Sequence, residues 1–247
     1  MTALLRAEVL KLRTTRGLYG YLIVLVVLTG LGAAGQVSTA HLFERGDPAF
    51  QRDMLSQSTV FAALIALLLG ILSVTVEWRH GTITRTFLVT PRRWRVLAAK
   101  EINGFLLGVG LAILGLVVAI AVIAPVLSHD SASLHVDGAF AARVAEILLA
   151  AALWGALGAG VGTLIQHQTG AIVGAIIWVL VVETLLAALL EWAGWKGIAD
   201  VLPRHALDAL AGHEAGLSTA AGGAVGVAYV VVFAALGFLR VRRQDIT

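Results

Sequence analysis

The chain has 247 residues and a formal net charge of +3, and 59% of its residues are Ala, Val, Ile, Leu, Met, Phe, Trp, Tyr or Cys even before its 27 glycines are added. Soluble domains reach about 45–50% apolar with glycine included, and here only 13% of residues are charged and mean hydropathy is +0.90, so a water-soluble globule is excluded. With no cysteine, disulfides, thiolate metal sites and cysteine nucleophiles are excluded as well.

Apolar runs near 20 residues, the length that crosses a hydrocarbon core as a helix, occur at 18–35, 58–77, 102–127, 139–165, 169–190 and 218–239. None alternates with period two, so the expected fold is an all-α integral membrane protein of six transmembrane helices, a single domain over 1–247. The first run, ending at Ala33-Ala34-Gly35, also has the form of a cleaved leader, but it is longer than a usual signal core and reads as a span. Before it, Leu5, Val9 and Leu12 form a stripe with Arg6 and Arg13 nearby, which suits a short helix lying at the membrane interface.

Six crossings put both termini on one side. Thirteen of the 18 Lys and Arg fall on that side, and Arg45, Arg52, Arg143, Lys196 and Arg204 on the other. The positive-inside bias therefore predicts cytoplasmic N- and C-termini and a multi-pass protein of the cytoplasmic membrane. The same bias gives the basic pI of about 9.7 a topological meaning, and no nucleic-acid partner is expected.

Between spans two and three the chain reads Glu77-Trp78-Arg79-His80-Gly81-Thr82-Ile83-Thr84-Arg85-Thr86-Phe87-Leu88-Val89-Thr90-Pro91-Arg92-Arg93-Trp94-Arg95 and runs on to Lys100. Gly81 is placed to end the second span and Thr82 to cap a short helix. Thr90-Pro91 has the N-cap and first-turn proline of a further helix leading into span three. Ile83 and Phe87, four apart, give the short helix one apolar face ringed by Arg85, Arg92, Arg93 and Arg95. That face needs a surface to press on. Lipid headgroups are one such surface, and the segment is then an ordinary basic loop.

The order Glu, Arg, Gly-Thr-Ile, Pro, Arg and a final Lys, set in a six-span layout, resembles the signature of ABC-2 type transporter permeases. Ala7-Glu8-Val9-Leu10-Lys11-Leu12-Arg13 is similar to the family's opening, and the long segment before the last span, with Leu202-Pro203 and Leu207, is similar too. The resemblance covers the whole chain by topology but is specific only over 77–100. It implies a permease subunit of an ATP-binding cassette exporter, working with a second permease subunit in a homo- or heterodimer. It also implies that the 77–100 loop is a coupling helix seated in a separate ATPase subunit. On that reading Glu77, Arg79, Gly81, Thr82, Ile83, Phe87, Pro91, Arg93 and Lys100 are the coupling residues, with Arg92 standing where the pattern often has Ser. No G-x-x-x-x-G-K-[ST] string occurs, so the chain is not expected to be an enzyme or to bind a cofactor itself; ATP and Mg would sit on the partner ATPase.

Four spans carry glycines spaced for close helix contact: Gly104 and Gly108, Gly158 and Gly162, Gly170 and Gly174, Gly222 and Gly226. Glu146 lies one turn from Arg143 and reads as half of an interfacial ion pair. Glu183 lies deep in span five, where an ionised acid facing lipid costs about 2.5–3.5 kcal/mol. It either makes a structural hydrogen bond or lines a translocation route. The second role would suit a proton-coupled secondary transporter, the alternative to the ABC reading, although no repeat between halves is evident. Trp192 and Trp195 read as interfacial anchors, and Pro203 to Leu210, closed by Gly212, as a short helix with Leu207 and Leu210 on one side. The seven histidines have no metal-ligand spacing, so no metal site is expected.

Overall fold

The computed structural model describes residues 4, 6–8, 10–11, 16–90, 92–130, 133–213 and 216–243, with Arg16, Leu42 and Phe43 described by backbone alone. Among these residues every regular element is helical. The elements are α1 (Arg16–Thr39), α2 (Leu42–Arg45), α3 (Pro48–Ser58), α4 (Val60–Arg79), α5 (Thr82–Val89), α6 (Arg93–His129) and α7 (Gly138–Ile165). After these come α8 (Gln168–Ile177), a π-helical turn (Trp178–Val182), α9 (Glu183–Trp192), α10 (Lys196–Ala199), α11 (Pro203–Leu210) and α12 (Thr219–Arg243). Six of the helical segments are long and apolar enough to span a bilayer, which makes the chain a multi-pass membrane protein. The end of the bundle carrying Gly17, Arg79, Arg93 and Arg243 is called basal here, and the opposite end apical.

The spans differ from the sequence expectation mainly at their ends. The third helix starts at Arg93 rather than 102 and runs 37 residues, about 55 Å at 1.5 Å per residue, so it projects well past a hydrocarbon core of about 30 Å. Residues 36–57, expected as a connecting segment, carry α2 and α3. In α3, Asp47 accepts the amide of Ala49 and Pro48 opens the first turn, a capping arrangement that hydropathy does not report. The fifth span is broken by the π-helical turn just before Glu183.

The most deeply buried span is α7, flanked by α4, α6 and α12. Small residues set this contact. A methyl on Gly108 would lie 2.0 Å from the Ala151 carbonyl oxygen, one on Gly155 would lie 2.1 Å from Gly104 O, and one on Gly158 would lie 2.2 Å from Leu67 O. Backbone therefore meets backbone along the seam between α4, α6 and α7. Gly222 and Gly226 receive α11 instead, against Ala206 O and the Leu207 side chain. Gly174 of the fifth span faces open space and Gly170 meets only His167 of its own turn, so this pair makes no interhelix contact within the chain.

Apically, α11 forms over Pro203–Leu210 as expected and ends at Gly212 with φ +82°, while Leu207 and Leu210 are buried in the main core with Trp154 and Leu153. The segment between the fifth and sixth spans thus turns back into the bundle. Trp192 and Trp195 are exposed where interfacial anchors would stand. Arg143 Nη1 lies 3.5 Å from Glu146 Oε2, the expected ion pair, and also donates to Ala211 O at the end of α11.

Candidate functional site

The basal loop is short, with sharp bends. Helix α4 ends at Arg79, and Gly81 takes φ +65°, a left-handed conformation that costs a Cβ-bearing residue about 1–2 kcal/mol. Gly81 is itself the N-cap of α5. Thr82, expected to be the cap, is instead the first helical residue, with its hydroxyl 3.4 Å from Glu77 O. The next helix, α6, begins at Arg93 with Arg92 at the cap position, rather than being capped by Thr90. Pro91 lies outside the described residues.

The apolar face of α5 is filled from within the chain. Ile83 and Phe87 pack with Val96 and Leu97 of α6, Val241 of α12, and Trp78 and Phe238. Arg93 fastens the same junction, since its Nη1 donates to Val241 O at 2.7 Å and its guanidinium lies 5.6 Å from the Phe87 ring centre. The residues expected to press on a partner thus fix the loop to the bundle. The surface that remains free of the chain is formed by Leu88, Val89 and Trp94, which are 77%, 85% and 52% exposed, with Arg85, Arg92 and Arg95 also exposed. Sequence periodicity missed these three because Leu88 and Val89 lie off the Ile83–Phe87 stripe. Arg79 is exposed and donates to Gln168 Oε1 at the start of α8.

Glu77 and Lys100 are not on the loop surface. Lys100 is 0% exposed, and its Nζ lies 2.8 Å from Glu77 Oε1, 3.2 Å from Glu8 Oε2 and 3.1 Å from Ser73 O. Lys11 Nζ lies 2.7 Å from Glu77 Oε1 and 2.9 Å from Glu8 Oε1. Two carboxylates and two ammoniums therefore share one knot where the N-terminal segment, α4 and α6 converge. Burial pulls the Lys11 pKa down, but its hydrogen bonds to Glu77 and Glu8 outweigh this and hold it above the ordinary 10.5. Glu8 and Lys11 stand in the opening segment, where their local sequence assigns them no role. The available signal was that Glu77 and Lys100 close two apolar runs and each needs an opposite charge. Of the proposed interfacial stripe, Leu5, Val9, Leu12 and Arg13 lie outside the described residues; Leu4, residues 6–8 and residues 10–11 are helical.

Glu183, the other singled-out residue, is 0% exposed and engaged. Its Oε1 accepts the backbone amides of Arg204 at 2.5 Å and His205 at 3.3 Å, so the carboxylate serves the N-terminus of α11, and His205 Nδ1 lies 3.5 Å away. These contacts supply a structural hydrogen bond through Oε1, while Oε2 is buried with no hydrogen-bond partner among the described residues. Around it, Arg204 Nη1 donates to Thr184 Oγ1, and Arg204 Nε lies 3.4 Å from Asp208 Oδ2. Burial raises the Asp208 pKa above its ordinary value, against the opposing pull of His213, Arg204 and His205. No protein-family model matches the chain, and no curated protein matches it.

Proposed function

We propose that the chain is the membrane-spanning subunit of an ABC-2 type exporter, dimerising and driven by two separate ATPase subunits that hold ATP and Mg. One observation carries the reading. The segment with the resembling residue order forms a separate short helix at the basal end, tied to α4, α6 and α12 and presenting an exposed Leu88–Val89–Trp94 surface among arginines. On this reading the basal end is cytoplasmic and α5 is the coupling helix. Ile83, Phe87 and Arg93 transmit a push on that surface into the spans, Glu77 and Lys100 keep the loop base stiff, and cargo moves outward between paired subunits. The proton-coupled reading leaned on Glu183, whose Oε1 is taken up by the α11 amides while its Oε2 is buried with no hydrogen-bond partner among the described residues.

The test is co-purification with an ATPase carrying a Walker A lysine, sought first in the adjacent reading frame, together with stimulation of ATP hydrolysis. A Leu88→Glu/Val89→Glu double variant is expected to keep its fold and lose both the complex and the stimulation. Charged replacements at Ile83 would unfold the junction and are uninformative. A retained complex in the double variant, or cargo export by the purified chain alone in vesicles, sinks the proposal.

A further inference from the structure

At the basal end a cavity of about 310 Å³ opens between the N-terminal segment, α1, α4 and the start of α8, near the lower limit of about 300–1,000 Å³ for small-molecule sites. Its walls are apolar, formed largely by Leu18, Tyr21, Leu72 and Val76. Its polar end is the charge knot, through Glu8, Lys11 and Glu77.

The knot has one unfilled position. Glu77 Oε1 takes both ammoniums and the two Glu8 oxygens take one each, whereas Glu77 Oε2 is buried and has no hydrogen-bond partner among the described residues. Glu77 as a whole is only 6% exposed. A buried carboxylate oxygen without a donor is costly, so the group that completes the site must donate a hydrogen bond. The three contacts of Lys100 are already to oxygens, so an anionic head would add an acceptor where acceptors are already in place. Among the described residues the two carboxylates and two ammoniums of the knot balance, which favours a head of no net charge. A carboxylate accepts a charge-assisted hydrogen bond from either, but only an ammonium adds Coulomb attraction to it, which favours an ammonium over a hydroxyl. The apolar walls lie beside membrane spans and suit an acyl chain.

We propose that this cavity binds one phospholipid with a phosphoethanolamine head, its ammonium donating to Glu77 and its tail lying between α1 and α4. The site holds whether or not the chain couples to an ATPase. The experiment is native mass spectrometry of the purified full-length chain from nanodiscs of mixed phosphatidylethanolamine and phosphatidylcholine with identical acyl chains. Phosphatidylcholine has the same charge but no N–H donor. One phosphatidylethanolamine per chain is expected to be retained, about tenfold in preference to phosphatidylcholine, as loss of a charge-assisted hydrogen bond implies. Leu72→Trp, which fills the wall without touching the charges, is expected to abolish that preference while the thermal unfolding transition persists. Val76→Trp, from the same wall, replaces it if Leu72→Trp does not fold. Equal retention of the two lipids, preference for phosphatidylcholine, or an unchanged preference in a folded wall variant overturns the assignment.

Discussion

The basal and apical ends of this protein each bury an acid at the junction between a span and a short helix, and they neutralise it differently. At the base, Glu77 is met by two lysines from elements far apart in sequence. At the apex, Glu183 is met chiefly by backbone amides at the start of α11, with an imidazole at 3.5 Å. The basal arrangement is a set of mutually bonded full charges, intolerant of losing any one. The apical arrangement uses the partial charge of a helix end and needs only an acceptor oxygen.

The largest test of this contrast is Lys100→Met. It leaves two buried carboxylates sharing one lysine and should destabilise the fold by about 3–5 kcal/mol, with much of the loss recovered in Lys100→Met/Glu77→Leu. Thermal unfolding in detergent measures both, and a single variant as stable as the parent would show that the knot is not a unit. Next, Glu183→Gln keeps an acceptor for the α11 amides and should cost little, whereas Glu183→Leu orphans them and should cost about 1–3 kcal/mol. Equal effects of the two would mean that charge, not acceptance, holds α11. The smallest effect is an alkaline pH dependence at the base. Because the Lys11 pKa in the folded state is raised, its contribution is fully present below the ordinary 10.5 and is lost as pH rises through the folded value. Unfolding midpoints measured across that alkaline range should fall less steeply in Lys11→Gln than in the parent.

The spans were legible because twenty apolar residues have few alternatives to crossing a bilayer, and α11 because Pro203 and Gly212 mark its two ends. The glycines of spans three, four and six were legible as contact faces, but the identical spacing of Gly170 and Gly174 was not distinguishable from them, since spacing says nothing about which neighbour is present. The charge knot was illegible for a related reason. Glu8, Glu77 and Lys100 are 92 positions apart at the extremes, and only the packing of α6 against the other elements brings them within bonding distance. Ile83 and Phe87 were correctly read as one face, yet the sequence does not tell whether Val241 or another protein covers it. The π-helical turn before Glu183 has no propensity signature in Trp178–Val182, an ordinary apolar stretch.

Where carbonyl oxygens of one helix rest on the α-carbons of the next, as between Gly104, Gly108, Ala151 and Gly155, there is no flexible side chain left to absorb sliding. The second, third and fourth spans are thereby locked into a single rigid keel. The first, fifth and sixth spans, by contrast, leave most of their flanks uncovered by the rest of the chain.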